Sequence, residues 1–280
     1  MRTNLLRLLV LGALWGASFP FLRAAVPALG PVALIAARVS VAAVALVLLA
    51  RFLRRDLGLA RKWRAHLVVG VLNSALPFVL FAYAARSLDV ATLAVLNATA
   101  PVFGAVVGAV ASREAPGLAR AGGLALGVTG VAVLLGFDAS AHAAPLAVAA
   151  SLAAACSYGV ASVVAKARAS DAGPLAGATG SMIAAAAVLV PLAPLFPPSS
   201  VTLPALGAVV ALGVACTALA YVLYFDLVAR MGPAALTVTF LVPLFATAWG
   251  ALFLGEPVRA SALAGGAVVL AGTALVTRGR

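Results

Sequence analysis

Polar and aromatic side chains recur at helical spacing within long apolar stretches of this sequence. Thr217, Tyr221 and Tyr224 stand at i, i+4 and i+7, so a helix would present all three on one face. An amide or a hydroxyl surrounded by lipid is costly unless it is paired, so such side chains are expected to point into the protein. They predict a small-molecule cavity, lined by Trp15, Ser18, Asn73, Ser74, Phe78, Asn97, Tyr158, Thr217, Tyr221, Tyr224 and Thr239. For the Ser and Thr residues, hydrogen bonding between helices is the alternative interpretation.

Three charged residues need a separate interpretation. Arg38 follows Pro31 and lies about 10 Å into a predicted helix at the usual rise per residue. It could bind a substrate carboxylate, but a structural role is favoured, in which it reaches towards the membrane surface or pairs with Glu256. Glu114 and Glu256 fall at helix ends. We interpret them as interface anchors or helix-end caps rather than as proton carriers.

The sequence offers little for catalysis or metal binding. Its two histidines, His66 and His142, do not form a metal-binding motif, and no pair of acids stands in the middle of an apolar stretch. Cys156 and Cys216 lie inside apolar stretches and are interpreted as small buried hydrophobic residues. We therefore expect neither an enzyme nor a cofactor or metal site.

The composition is that of an all-α integral membrane protein. The chain of 280 residues is 65% hydrophobic and 9% charged, whereas a soluble domain carries about a quarter of charged residues. The apolar stretches do not alternate with a period of two, and they are long enough to cross a bilayer core of about 30 Å as helices. Ten spans are predicted, at 5–23, 31–50, 67–86, 90–111, 118–136, 145–166, 174–196, 205–228, 233–254 and 260–277.

The distribution of basic residues predicts the orientation in the membrane. The net charge is +12, and with ten spans most Lys and Arg residues fall on the side that holds both termini. This positive-inside pattern predicts that both termini are cytoplasmic, and it explains the basic charge without a nucleic-acid partner. We expect a multi-pass protein of the bacterial inner membrane.

One segment of the sequence occurs twice, at 101–114 and again at 243–256. The two internal repeats cover approximately 1–138 and 143–280 of a single transmembrane domain. Because five spans, an odd number, separate the two copies, the second repeat is expected to be inverted in the membrane. Inverted repeats are typical of secondary transporters that work by alternating access. Pro101 and Pro243, in matching places, are predicted to be hinges at which two spans bend.

The residues just described belong to a wider pattern, formed by Trp15-Gly16-Ala17-Ser18, Arg38, Pro101 with Glu114, Pro243 with Gly255-Glu256, and the glycines of spans 5 and 10. With this pattern the whole chain resembles the EamA-type ten-helix exporters of the drug/metabolite transporter superfamily. Among these it is most similar to aromatic amino-acid exporters of the YddG type. The resemblance implies a cavity between two five-helix repeats, lined mainly by spans 1, 3, 4, 6, 8 and 9. Spans 5 and 10 would be peripheral.

The character of the predicted cavity indicates its cargo. A neutral lining of Trp, Tyr, Phe and Asn suits small amphiphiles such as neutral or aromatic amino acids. Lipophilic cations or drugs are the alternative cargo, bound through cation–π contacts. A passive channel for small solutes is the alternative from another class. Small-residue pairs such as Gly12/Gly16 are interpreted as packing sites within one bundle, so a monomer is expected.

Overall fold

The computed structural model describes residues 2–113, 117–136, 144–167 and 173–278, and within these ranges its regular structure is entirely helical. Ten long helical segments follow one another along the described chain. They are α1 (Arg2–Leu29), α2 (Pro31–Phe52), α3 (Trp63–Ala84), α4 (Val90–Ser112), α5 (Leu118–Gly136), α6 (Pro145–Ala167), α7 (Gly173–Leu189), α8 (Leu203–Met231), α9 (Val238–Leu254) and α10 (Ala260–Arg278).

Eight of these described segments are long and apolar enough to cross a membrane, whereas α7 and α9 are apolar but contain only 17 residues each. The predicted bounds of these two spans were too wide. α7 ends at Leu189 because Pro191 follows, and proline has no backbone N–H with which to continue the helix. Before α9, residues Gly232–Thr237 form a 3-10 helix instead of the first turns of the predicted span.

The fourth segment is not one continuous helix. It consists of Val90–Asn97 and Ala100–Ser112, and the hydroxyl of Thr99 at the break donates to the Leu96 carbonyl at 2.6 Å. Pro101 is therefore the second residue of a helix, where a missing N–H removes no helical hydrogen bond. The predicted span 90–111 is therefore interrupted just before Pro101.

The last helices of the two repeats, α5 and α10, contact each other through glycines. A Cβ atom on Gly123 would lie 2.7 Å from the carbonyl oxygen of Gly272, and one on Gly265 would lie 2.8 Å from that of Gly130. Gly265 and Gly272 hold the places in the second repeat that Gly123 and Gly130 hold in the first. The contacts are therefore reciprocal between antiparallel helices, as expected for two copies around a local twofold axis. This is the geometry of an inverted repeat.

The first helix of each repeat also packs against the other repeat. A Cβ atom on Gly16 of α1 would lie 2.8 Å from the backbone nitrogen of Ala246 in α9. In the same way, a Cβ atom on Gly159 of α6 would lie 2.7 Å from the backbone nitrogen of Gly104 in α4. Each first helix thus packs closely on the fourth helix of the other repeat, so side chains from both repeats meet in one interior.

Charged groups join the end of α9 to the start of α4. The Glu256 carboxylate accepts a 2.8 Å hydrogen bond from the Val90 N–H and forms a 2.5 Å ion pair with Arg23 of α1. Next to it, Arg259 and Asp89 form a second ion pair of 2.5 Å. The last residues of α9 therefore meet the first residues of α4. The two helices that carry the repeated segment run in opposite directions.

Candidate functional site

Two π-helical turns carry several of the predicted site residues. They lie at Val71–Ala75 in α3 and at Ala211–Leu219 in α8, which are corresponding places in the two repeats. Thr217 lies within the second of these segments, and its hydroxyl donates to the carbonyl of Leu212, five residues before it, at 2.7 Å. π-Turns are rare and are often found at functional sites. Hydrophobic spacing did not reveal either of them.

Arg38 of α2 lies at the centre of the candidate site. Its side chain is buried, with 4% of the residue exposed. The guanidinium Nε donates to the Thr217 hydroxyl at 3.1 Å, and the guanidinium carbon lies 4.0 Å from the centre of the Phe78 ring. These two contacts offset part of the cost of burying the charge.

The contacts of Arg38 differ from the pairing with Glu256 that was expected for it. The Arg38 side chain is buried, and the carboxylate of Glu256 is paired with Arg23 instead. Within the described ranges, no carboxylate lies at ion-pair distance from Arg38. The close packing of α1 on α9 places Arg23 beside Glu256.

Neutral polar groups surround this cation. Tyr158, Tyr221 and Cys216 lie close enough to interact electrostatically with Arg38. The Asn73 amide donates to the Tyr221 hydroxyl at 3.3 Å.

Two serines complete the polar surroundings. Ser74 is fully buried, and its hydroxyl lies near that of Tyr221 without the geometry of a hydrogen bond. Ser18 of α1 is buried beside Cys216. We call the following set the Arg38 cluster: Ser18, Arg38, Asn73, Ser74, Phe78, Tyr158, Cys216, Thr217 and Tyr221.

Aromatic rings extend the Arg38 cluster along α8. The ring centres of Trp15 and Tyr224 are 5.3 Å apart, and those of Tyr224 and Phe225 are also 5.3 Å apart. Phe225 stacks in turn on Tyr221 at 6.0 Å. These rings form a continuous apolar wall on one side of the cluster. Phe225 was not among the predicted residues, although it stands one helical turn after Tyr221 and the spacing i, i+4 and i+8 from Thr217 could have included it.

A second row of rings crosses from α1 to α6. Phe19 meets Phe81 edge-on with centres 5.9 Å apart, and Phe81 stacks on Tyr158 at 6.2 Å. Phe19 and Cys216 were also missed as site residues, since an apolar ring or a thiol in an apolar stretch gives no signal by itself. The rows of rings and the cluster draw residues from α1, α2, α3, α6 and α8. The participation of α2 differs from the lining implied by the family resemblance.

Asn97, Thr239 and Pro243 are predicted residues that are not members of the Arg38 cluster. Asn97 ends the first part of α4, and Thr239 is the second residue of α9; both are partly buried. Pro243 lies inside α9 and is buried. Glu114 falls outside the described residues. Whether Asn97, Thr239 and Pro243 act in transport is a question for transport measurements on variants.

The composition of the Arg38 cluster is suited to binding a small molecule. It combines one fixed positive charge, several neutral hydrogen-bonding groups and two rows of aromatic rings. In the described part of the chain, no three His, Cys, Asp or Glu side chains come together as metal ligands would. The cluster joins the two repeats, because Arg38 bonds to Thr217 and Asn73 bonds to Tyr221.

Comparison with known proteins shows which family the sequence matches. The model of the EamA-like transporter family matches twice, over residues 3–136 and 145–278. A probable terminal-alkyne amino-acid exporter of Streptantibioticus cattleyicolor is 31% identical over 268 residues, which cover 94% of this chain and 90% of that protein. A protein of known crystal structure has the same fold, with a TM-score of 0.67 at 21% identity, over 98% of this chain and 96% of the other.

Proposed function

The chain belongs to the EamA-like transporter family, and we propose that it exports neutral amino acids, above all those with aromatic or other apolar side chains. The observation that carries this proposal is the Arg38 cluster, a buried polar and aromatic site built from both repeats. The relative named as an amino-acid exporter supports the same class of cargo.

The proposed mechanism is alternating access. Two repeats related by a local twofold axis have two similar arrangements, one open to each side of the membrane. A substrate in the Arg38 cluster touches both repeats, since the cluster is held by the pairs Arg38–Thr217 and Asn73–Tyr221. Movement of one repeat against the other would therefore change the access of this site. Pro243, inside α9, is the proposed bending point.

The proposed topology has ten spans with both termini in the cytoplasm of a bacterial inner membrane. The 17 residues of α7 or α9 reach about 25 Å as a helix. That length is slightly below a bilayer core of about 30 Å, and a locally thinner bilayer accommodates such a difference at modest cost. A monomer is proposed, because the glycine faces of α1 and α5 are occupied by helices of the same chain.

Lipophilic cations are the competing cargo. The rings of Trp15, Tyr224 and Phe225 would suit them through cation–π contacts. A buried guanidinium with no carboxylate at ion-pair distance among the described residues repels a cationic substrate, however. This favours a substrate that carries a negative group.

Transport by the purified protein in liposomes tests the proposal. Radiolabelled phenylalanine, leucine, tetraphenylphosphonium and a sugar phosphate are offered separately, with protein-free liposomes as the control. We expect saturable phenylalanine and leucine uptake, accelerated by the same unlabelled amino acid on the opposite side. Uptake of the phosphonium ion or the sugar phosphate alone would contradict amino-acid transport. Uptake that neither saturates nor shows counterflow would identify a channel.

A further inference from the structure

Resting on the proposed function, we infer that Arg38 binds the carboxylate of the transported amino acid. Recognition then requires a carboxylate, and amides or amines of the same shape are rejected. The guanidinium is held in place through one of its nitrogens. Its Nε is bonded to the Thr217 hydroxyl, and Thr217 is itself fixed by its bond to the Leu212 carbonyl.

The remaining donors of Arg38 form a fork without an anionic partner in the described chain. Thr217 is the only described residue that accepts a hydrogen bond from Arg38, and it uses Nε. The two terminal nitrogens, Nη1 and Nη2, can therefore donate in parallel to the two oxygens of a carboxylate. Bidentate pairing of this kind is the strongest way in which arginine recognises an anion.

The acids of the described chain are all engaged elsewhere. Glu256 pairs with Arg23, and Asp89 pairs with Arg259. Of the other described acids, Asp226 pairs with Arg7 and Arg230, and Asp56 accepts a hydrogen bond from the Gly58 N–H in an exposed loop. A buried cation without a counter-ion is costly, and a substrate carboxylate would supply the missing charge.

The neighbours of Arg38 complete a site for a zwitterion. Asn73, Ser74 and Tyr158 offer neutral oxygens to an ammonium group, and Ser74 is fully buried without a hydrogen bond. The rings of Tyr221 and Phe225 offer a face for an apolar side chain. The positive charge and the aromatic wall thus match the two ends of an apolar amino acid.

The first test uses the wild-type protein in detergent and a series of ligands. Phenylalanine and 3-phenylpropanoate carry a carboxylate, whereas phenylalaninamide and phenethylamine do not. We expect both carboxylates to compete with labelled phenylalanine, and the other two to bind at least 10-fold more weakly. Equal competition by phenylalaninamide would overturn the role of Arg38 and leave the proposed function intact. If the protein neither binds nor transports any amino acid, both proposals fail.

The second test compares variants by the ratio of phenylalanine to phenylalaninamide uptake. Losing a hydrogen bond to a charged group corresponds to about 10- to 100-fold in affinity, so Arg38→Gln should lower the ratio by that factor. Arg38→Lys keeps the charge without the fork and should give an intermediate ratio. Ser40→Ala is the control, because the Ser40 hydroxyl only bonds to Ala36 in its own helix. A ratio unchanged in Arg38→Gln contradicts the inference, and should that variant not fold, the wild-type ligand series decides.

Discussion

The carboxylate of Glu256 accepts a hydrogen bond of 2.8 Å from the backbone N–H of Val90, the first residue of α4. The N-terminus of a helix carries a partial positive charge, so a carboxylate is stabilised there. Glu256 follows the end of α9, and the helix that it caps belongs to the other repeat. Since the same carboxylate pairs with Arg23, one side chain links α1, α4 and α9.

Replacing Glu256 tests this link. The substitution Glu256→Gln removes the charge from the hydrogen bond to Val90 and from the pair with Arg23. Hydrogen bonds to charged groups contribute about 1.5–3 kcal/mol, so we expect a loss of about 2 kcal/mol in the free energy of unfolding. Thermal unfolding in detergent measures it. Asp56→Asn, in an exposed loop, serves as the control, and equal melting temperatures for the two variants would contradict the role of Glu256.

Two adjacent glycines test the contact between α5 and α10. A methyl group on Gly123 would meet the Gly272 carbonyl at 2.7 Å, whereas one on Gly122 would meet no atom within 4 Å. We expect Gly123→Ala to lower stability by about 1–3 kcal/mol through overpacking. Gly122→Ala should be neutral or stabilise by up to about 1 kcal/mol, because alanine is the better helix former. Similar melting curves for both variants would mean that the two helices do not pack through Gly123.

The hydroxyl of Tyr221 offers a test of the binding site with little change in shape. Tyr221→Phe removes the acceptor for the Asn73 amide and keeps the ring that stacks on Phe225. A neutral hydrogen bond contributes about 1 kcal/mol, so we expect the KM for phenylalanine to rise about fivefold. The control is Tyr83→Phe, since Tyr83 is exposed and its ring lies near Arg86. An unaltered KM in Tyr221→Phe would remove Tyr221 from the site.

The two matching prolines are expected to differ in their effect on turnover. Pro243 lies inside α9, so Pro243→Ala restores a backbone donor and straightens the helix. We expect roughly tenfold slower transport, equivalent to about 1.4 kcal/mol in the barrier, with little change in substrate affinity. Pro101→Ala should have a smaller effect because Pro101 stands at a helix start. Counterflow rates and binding constants separate the two quantities, and a loss of affinity without a loss of rate would argue against a hinge.

Cysteine labelling in intact cells tests the proposed topology. Arg55 and Ser200 are both exposed, in the loops after α2 and before α8. In a variant with Cys156 and Cys216 replaced by serine, a membrane-impermeant reagent should modify Ser200→Cys at once. Arg55→Cys should react only after the cells are opened. Labelling of both cysteines in intact cells would contradict the predicted orientation of the repeats.

The predictions from sequence succeeded where a property depends on residues close together in the chain. Apolar length and the scarcity of charge predict membrane-spanning helices, because a bilayer demands about 20 apolar residues per helix whatever the fold. The repeat and the family resemblance were also predicted from the sequence, and the family is confirmed by the match over both halves. The interruption of the helix before Pro101 was missed, because the apolar spacing continues across it. Where a helix is interrupted depends also on the neighbouring helices.

Only the tertiary structure decided which side chains meet. Sequence spacing indicates the face on which Arg38 lies, but Thr217 is 179 positions away, and no local rule connects the two. Likewise, several arginines could have paired with Glu256, and the close packing of α1 on α9 at Gly16 selected Arg23. Sequence rules describe which residues share a face of one helix. Pairing between residues of different helices depends on distances that exist only once the helices are packed. The sequence therefore determined the apolar helical character and the repeat, and the packing of the helices determined the site.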